Sequence, residues 1–229
     1  MAIFERLRQE FNEWARAGRG AKMERGHRPT GEQAIKWMRV GPEAHVLDVG
    51  CGSGWAARMF ADLATDGHVV GVDVSDEMIR EAREQSADYA NINYRVARAD
   101  DLPFAAETFS HAFSMETLYY SPDIGAALRE IKRVLRTRVG LFVAVVDLYR
   151  ENESSHQWVE QLNVPVKLLS AAEYRELFVG AGFVEVQETR LLDPSPIPKV
   201  YEGTTFKTHA DYVRFREAGS LMISGRVEE

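Results

Sequence analysis

Along the chain, short apolar runs alternate with segments whose apolar residues recur at three- and four-residue steps, the spacing of one helix face. Residues 46–49 read as a strand ending in glycines, and residues 55–64 as the helix behind it. A second strand is expected at 69–72. Ser75 is placed to cap the helix that follows, with Asp76 and Glu77 in its first turn, where the helix dipole favours acids. Residues 91–96 and 109–115 supply a third and a fourth strand. Ser121-Pro122 predicts another helix start, with Ser121 as N-cap and proline at the first helical position. Ile124, Leu128, Ile131 and Leu135 are its buried stripe, and residues 141–146 make a fifth strand. Strand and helix alternating at this spacing predict a largely parallel sheet with helices on both faces.

The flanks depart from that rhythm. Ile3, Phe4, Leu7, Phe11 and Trp14 lie on one face of an expected N-terminal helix packed on the domain. The segment 22–27, with Met23 and His27, follows that helix and precedes the next, where it is expected as part of a lid. Residues 149–166 are polar and read as an insertion carrying His156 and Trp158. Ser170 and Glu173 have the spacing of a capping box for a helix whose core face is Tyr174, Leu177, Phe178 and Ala181. Gly182 suits its end, residues 183–186 a sixth strand, the proline-rich 193–198 a rigid loop, and 221–227 a last strand. No linker divides the chain. The expected organisation is one domain over 1–229: a helical lid (1–40), a core (41–146) and a substrate-side region (147–229).

Composition narrows the class. The 229 residues include 28 lysines and arginines against 35 aspartates and glutamates, a net charge of -7. That balance disfavours nucleic acid, whose binders need cationic surface to displace counterions. The single cysteine, Cys51, excludes an intramolecular disulfide framework, and no ligand spacing suggests a metal. The longest apolar run is far short of the ~20 residues that span a bilayer, so a cytoplasmic protein is expected.

The most informative stretch is Asp48-Val49-Gly50-Cys51-Gly52-Ser53-Gly54. Glycines at alternate positions after a strand let the backbone turn sharply and approach a ligand, while the following helix offers free amides. The spacing is G-x-G-x-G, not the G-x-G-x-x-G of dinucleotide sites, and no P-loop Lys-Ser/Thr follows. Asp48 would repel a phosphate and attract an ammonium group. Asp73, at the end of the second strand and about twenty residues beyond the glycines, sits where an acid accepts hydrogen bonds from a ribose diol.

With Gly71-Val72-Asp73-Val74-Ser75 and Met78, then Leu102-Pro103-Phe104, Phe109 and Leu128-Arg129-Glu130-Ile131-Lys132-Arg133-Val134-Leu135, these motifs follow one order. Over residues 40–146 the chain resembles the class I S-adenosylmethionine-dependent methyltransferases, nearest the small-molecule branch that includes ubiquinone- and menaquinone-type enzymes. The resemblance implies a Rossmann-like, doubly wound α/β three-layer sandwich. Its sheet would have seven strands in the order 3-2-1-4-5-7-6, the last antiparallel. It also implies S-adenosyl-L-methionine as cofactor and methyl transfer to a small organic acceptor.

In that family Asp48 would lie near the methionine end of the cofactor and Gly50, Cys51, Gly52 and Gly54 beneath it. Asp73 would hold the ribose, and Val74 and Met78 would flank the adenine. Relatives carry an acid before the alanine that corresponds to Ala99, and that acid pairs with the adenine amino group. Here the position is Arg98, which cannot accept that hydrogen bond, so Asp100 or backbone groups are expected to take over.

Methyl transfer from a sulfonium is an in-line displacement, achieved by alignment and exclusion of water, with a base needed only when the acceptor must lose a proton. Ser114 and Glu116 end the fourth strand, at the carboxyl edge where such folds bind ligands. Glu116, His27 and His156 are the candidate catalytic groups. Met23, Tyr119, Tyr120 and Trp158 are the candidates for the acceptor pocket. A non-catalytic binder of the cofactor, or a nicotinamide-dependent oxidoreductase, are the alternatives. The acceptor atom and the oligomeric state are not legible.

Overall fold

A computed structural model describes residues 2–228. Its sheet has seven strands in the order β3-β2-β1-β4-β5-β7-β6. These are β1 (His45–Val49), β2 (His68–Asp73), β3 (Ile92–Val96), β4 (His111–Met115), β5 (Leu141–Val146), β6 (Val184–Leu191) and β7 (Ser220–Arg226). The pairs β1–β2, β1–β4, β2–β3 and β4–β5 are parallel, and β7 runs antiparallel to both its neighbours. The expected strand order is the observed one.

Alternation along the central strands divides the core between the two faces. Phe142, Ala144 and Val146 of β5 join one cluster with Leu128, Ile131, Tyr174 and Phe178. Val143 and Val145 join the other, with Phe60, Ile79, Phe113 and Ile35. All six residues of β5 are buried, as a central strand covered on both faces requires.

The helices are α1 (Ala2–Arg16), α2 (Arg19–Met38), α3 (Trp55–Leu63), α4 (Asp76–Gln85), α5 (Ile124–Val134), α6 (Ala171–Gly180) and α7 (His209–Ala218). Several start where local chemistry placed them. The Ser75 hydroxyl accepts the Met78 amide at the start of α4, and Ser170 and Glu173 complete the capping box of α6.

Three expectations shift. The cap of α5 is Asp123, whose carboxylate accepts the Ala126 amide, so Ser121-Pro122 lies outside the helix. Segment 22–27 lies inside α2, which begins after Gly18 (φ 67°) and accommodates Pro29. The sixth strand runs on to Leu191, well past residue 186.

Above the carboxyl ends of β1, β2 and β4 lies α1, tied to α4 through Asn12. The Asn12 Oδ1 accepts the Ser75 hydroxyl at 2.6 Å and the Glu77 amide at 3.2 Å. Among the described residues no helix is long and apolar enough to cross a membrane.

Candidate active site

The glycine turn begins with backbone amides folded back onto β2, where the Gly50 and Cys51 N–H groups both donate to the Val72 carbonyl. Gly50 has φ 73°, and a Cβ on it would sit 2.2 Å from the Thr117 hydroxyl oxygen. Gly52 has φ 51°, but a Cβ there would meet nothing within 4 Å. The first glycine is therefore demanded by packing. The second faces open space, where a ligand can lie against bare backbone.

Asp73 is held in place from both sides. Its Oδ2 accepts the Gly52 amide at 3.0 Å and its Oδ1 the Ser75 amide at 2.9 Å. This locks its carboxylate beside the turn with lone pairs left for further donors. Asp48 is buried, and its Oδ2 has no hydrogen-bond partner. Burial pushes its carboxyl up to about 7, with the neighbouring Asp73 charge adding to the shift. A buried acid oxygen with no donor is an orphan in the free protein.

A cavity of about 840 Å³ opens over these residues, within the range of small-molecule sites. One end holds Asp48, Cys51, Gly52, Asp73, Val74, Met78 and Ala99, together with the underside of α1. The other end is aromatic: Trp158, Phe206 and Phe215 pack together, with Tyr201 and Tyr212 stacked beside them. Met23, Tyr119 and Tyr120 also line the cavity.

The two ends meet at a polar cluster. Glu116 follows β4 and Asp147 follows β5, so adjacent parallel strands deliver two carboxylates to one edge. Both are buried. The Tyr119 hydroxyl donates to Glu116 Oε2 at 2.8 Å, and the Asp147 amide donates to Glu116 Oε1. The Ser220 hydroxyl, from β7, donates to Asp147 Oδ1.

Glu116 adopts φ 55°, a left-handed conformation that is costly for a residue with a Cβ and concentrates at functional sites. Burial holds both carboxyls above the usual range, and the Asp147 charge adds to the rise at Glu116. From α2, His27 brings a ring nitrogen into the group. The ligating atoms of His27, Glu116 and Asp147 all lie within 4.8 Å of one another. Burial lowers His27 to about 4, so its imidazole is neutral near pH 7.

Other residues marked from sequence lie elsewhere. His156 sets its Nε2 against the Tyr149 carbonyl at 3.3 Å and does not line the cavity. Ser114 is buried with its hydroxyl unpartnered, also off the cavity wall. Gly54 forms the turn without lining the space, and a Cβ there would collide with Tyr94. Asp100 is engaged by Arg98, whose Nε and Nη2 donate to its two oxygens at 2.9 and 2.7 Å. Arg98 in turn stacks over Phe4 of α1, 3.6 Å from the ring centroid.

The sequence reading missed Asp147 and the C-terminal aromatics. Asp147 was findable as the first residue past a wholly apolar strand. The aromatics Tyr201, Phe206, Tyr212 and Phe215 sit in a segment with little periodicity and gave no such signal.

Residues 46–138 match the family described as a methyltransferase domain. An O-methyltransferase of Pyrenophora dematioidea is 34% identical over 161 residues, 66% of this chain and 58% of that protein. A 2-phytyl-1,4-naphtoquinone methyltransferase of Trichormus variabilis is 32% identical, covering 70% of this chain and 69% of the relative. The chain thus spans only 58% of the length of the first O-methyltransferases it matches.

In a solved complex between the Haloferax volcanii Trm112 methyltransferase activator and a methyltransferase, one chain superposes with TM-score 0.89. That chain is 35% identical, with 96% of this chain and 98% of that one covered. A geranyl diphosphate C-methyltransferase from Streptomyces coelicolor, solved with S-adenosyl-L-homocysteine, shares the fold at TM-score 0.69 and 18% identity, over 86% of this chain and 76% of that one. The strand order, the glycine turn with its two acids, and these likenesses agree: the chain belongs to the class I S-adenosylmethionine-dependent methyltransferase family.

Proposed function

We propose that this protein transfers the methyl group of S-adenosylmethionine to a hydroxyl of a small, largely apolar acceptor with an aromatic or quinone-like ring. The observation that carries the reading is one continuous cavity with a cofactor-shaped end and an aromatic end, joined at buried acids. The residues fit the cofactor. Bare backbone at Gly52 leaves room for it, Asp73 offers lone pairs to a ribose diol, and the orphan oxygen of Asp48 suits the cationic methionine end. Val74, Met78 and Ala99 would enclose the adenine, and α1 with α2 would close over it as a lid. When bound, the cofactor supplies a methyl group activated by a sulfonium.

The protein's own part is alignment, exclusion of water and management of one proton. The aromatic wall formed by Trp158, Phe206 and Phe215 would hold the acceptor ring. Tyr119 and Tyr120 would set its angle toward the cofactor end. The acceptor oxygen gives up its proton at the His27–Glu116–Asp147 cluster. The cavity residues would hold that oxygen in line with the methyl group that the cofactor would supply from the end bounded by Asp48, Gly52 and Asp73.

The likeness to the Haloferax chain supports an activator subunit of the Trm112 kind as a partner, and the absence of a membrane-spanning helix among the described residues suits a cytoplasmic place. Incubation with S-adenosylmethionine and a panel of phenols, hydroquinones and aliphatic alcohols, with and without such a subunit, tests the reading. Formation of S-adenosylhomocysteine with ring acceptors is expected. Turnover confined to aliphatic acceptors, or no cofactor binding at all, would refute it.

A further inference from the structure

Two carboxylates and an imidazole meet at the cavity's centre without a counterion. No lysine or arginine among the described residues forms an ion pair with Glu116 or Asp147, although both are more than nine-tenths buried. Two like charges taken out of water this close together need a proton, a ligand cation or a metal ion to neutralise them. Three features favour the metal.

First, the donor set is one imidazole and two carboxylates, the mixture that suits first-row divalent ions. Second, the carboxylates are oriented from behind. Tyr119 and the Asp147 amide hold Glu116, and Ser220 holds Asp147, which in turn is backed by Thr30 through a 3.0 Å hydroxyl contact with Ser220. Asp147 Oδ2 is left without a hydrogen bond among the described residues, as is the His27 ring. Outer-sphere support of this kind is typical of metal ligands. Third, Glu116 holds a strained left-handed backbone (φ 55°), a conformation that clusters at functional sites.

We propose that His27, Glu116 and Asp147 bind one divalent first-row metal ion, of the manganese, cobalt or zinc class. Ligand atoms about 2.1 Å from a tetrahedral ion lie about 3.4 Å apart, so a small side-chain rotation closes the present 4.8 Å spread. Three protein ligands leave positions open on the side of the aromatic chamber, as in catalytic metal sites. The acceptor class this implies carries two adjacent oxygens, as in a catechol or hydroxyquinone, able to chelate the ion. Coordination would lower the pKa of the acceptor hydroxyl; with the ion bound, its O–H proton passes to water before the oxygen attacks, and the three side chains act as ligands instead of taking that proton themselves.

The inference rests on the methyl-transfer reading only for the acceptor, not for the ion. Calorimetric titration of Mn2+, and visible absorption with Co2+, into chelator-treated protein loaded with S-adenosylhomocysteine tests it. The expected result is saturable binding of one ion per chain with ligand-field bands of an N/O site. Glu116→Gln, Asp147→Asn and His27→Ala should each weaken it more than tenfold. Circular dichroism checks their fold, and His27, on the cavity face of a long helix, is the variant least able to disturb it.

Absence of saturable binding, or binding that survives all three substitutions, overturns the proposal. If S-adenosylhomocysteine binds but no ion does, the metal falls and the methyl-transfer reading stands. If the ion binds and S-adenosylhomocysteine does not, the metal site is upheld and the methyl-transfer reading falls.

Discussion

Replacing Asp48 with Asn should make the free protein more stable while making it a worse cofactor binder. Asp48 is 2% exposed, and burial raises its carboxyl from 3.8 to about 7. The shift, of about three units at 1.36 kcal/mol each, corresponds to about 4 kcal/mol between its protonation states. Because the acid is harder to ionise in the fold than in the unfolded chain, the fold is disfavoured progressively as pH rises from 3.8 through about 7, and fully above that.

Asn removes the ionisation, but its amide nitrogen inherits a place with no acceptor, costing about 1 kcal/mol. The net gain should therefore be about 3 kcal/mol near pH 8.5 and under about 1 kcal/mol near pH 5. Urea unfolding of both proteins at these two pH values measures the difference directly. Calorimetry should show weaker S-adenosylmethionine binding, with S-adenosylhomocysteine, which lacks the sulfonium charge, affected less. An equal change in stability at both pH values would show that the Asp48 charge is not the source of the strain, and the electrostatic account of this end of the cavity would fail.

Asp73→Ala should weaken cofactor binding by about 1 to 3 kcal/mol through lost charge-assisted hydrogen bonds, read by calorimetry; an unchanged Kd removes Asp73 from the ribose site. Gly50→Ala places a methyl 2.2 Å from the Thr117 hydroxyl at φ 73° and should destabilise the fold by at least about 3 kcal/mol in a thermal melt. Gly52→Ala meets no atom within 4 Å, so the fold should lose only about 1 kcal/mol while cofactor binding collapses. Arg98→Ala removes the stack on Phe4 and should speed cofactor release several-fold in stopped-flow, about 1 kcal/mol, as α1 loosens.

The sheet was legible because its central strands are short runs dominated by apolar residues. Residues 46–49, 69–72 and 141–146 announce themselves, and every one is buried on both faces. Strand β6 was cut short because five of its eight residues are exposed, and Glu185, Gln187, Glu188 and Arg190 carry no apolar alternation. The α5 start was misplaced by two residues because Ser121 and Asp123 are both good caps, and only Asp123 has the Ala126 amide within reach. The end of the cavity proposed for the cofactor was readable since its glycines and acids are local in sequence. The end proposed for the acceptor is assembled from residues on α2, on the loops after β4 and β5, and near the C-terminus, which no single window contains.

The central cluster sits between these two cases. Glu116 follows β4 by one residue and Asp147 follows β5 by one, and Met115 pairs with Val145 across the two strands. Once β4 and β5 are known to be parallel neighbours, the two acids must lie side by side at the carboxyl edge. Asp48 in β1 and Asp73 at the end of β2 extend the row along the same edge. All four carboxyls are shifted upward, with burial as the leading cause in each. A cavity floor built this way repels anions and holds an unmet demand for positive charge, which can be met in one half by a sulfonium and its ammonium, and in the other by a metal ion. The fold tolerates that demand because the surrounding core clusters are continuous on both faces of the sheet. Neutralising Asp48 should therefore relieve electrostatic strain in the free protein and show its loss only when a cation binds, whereas removing Asp73, Glu116 or Asp147 also breaks the amide and hydroxyl hydrogen bonds that each accepts.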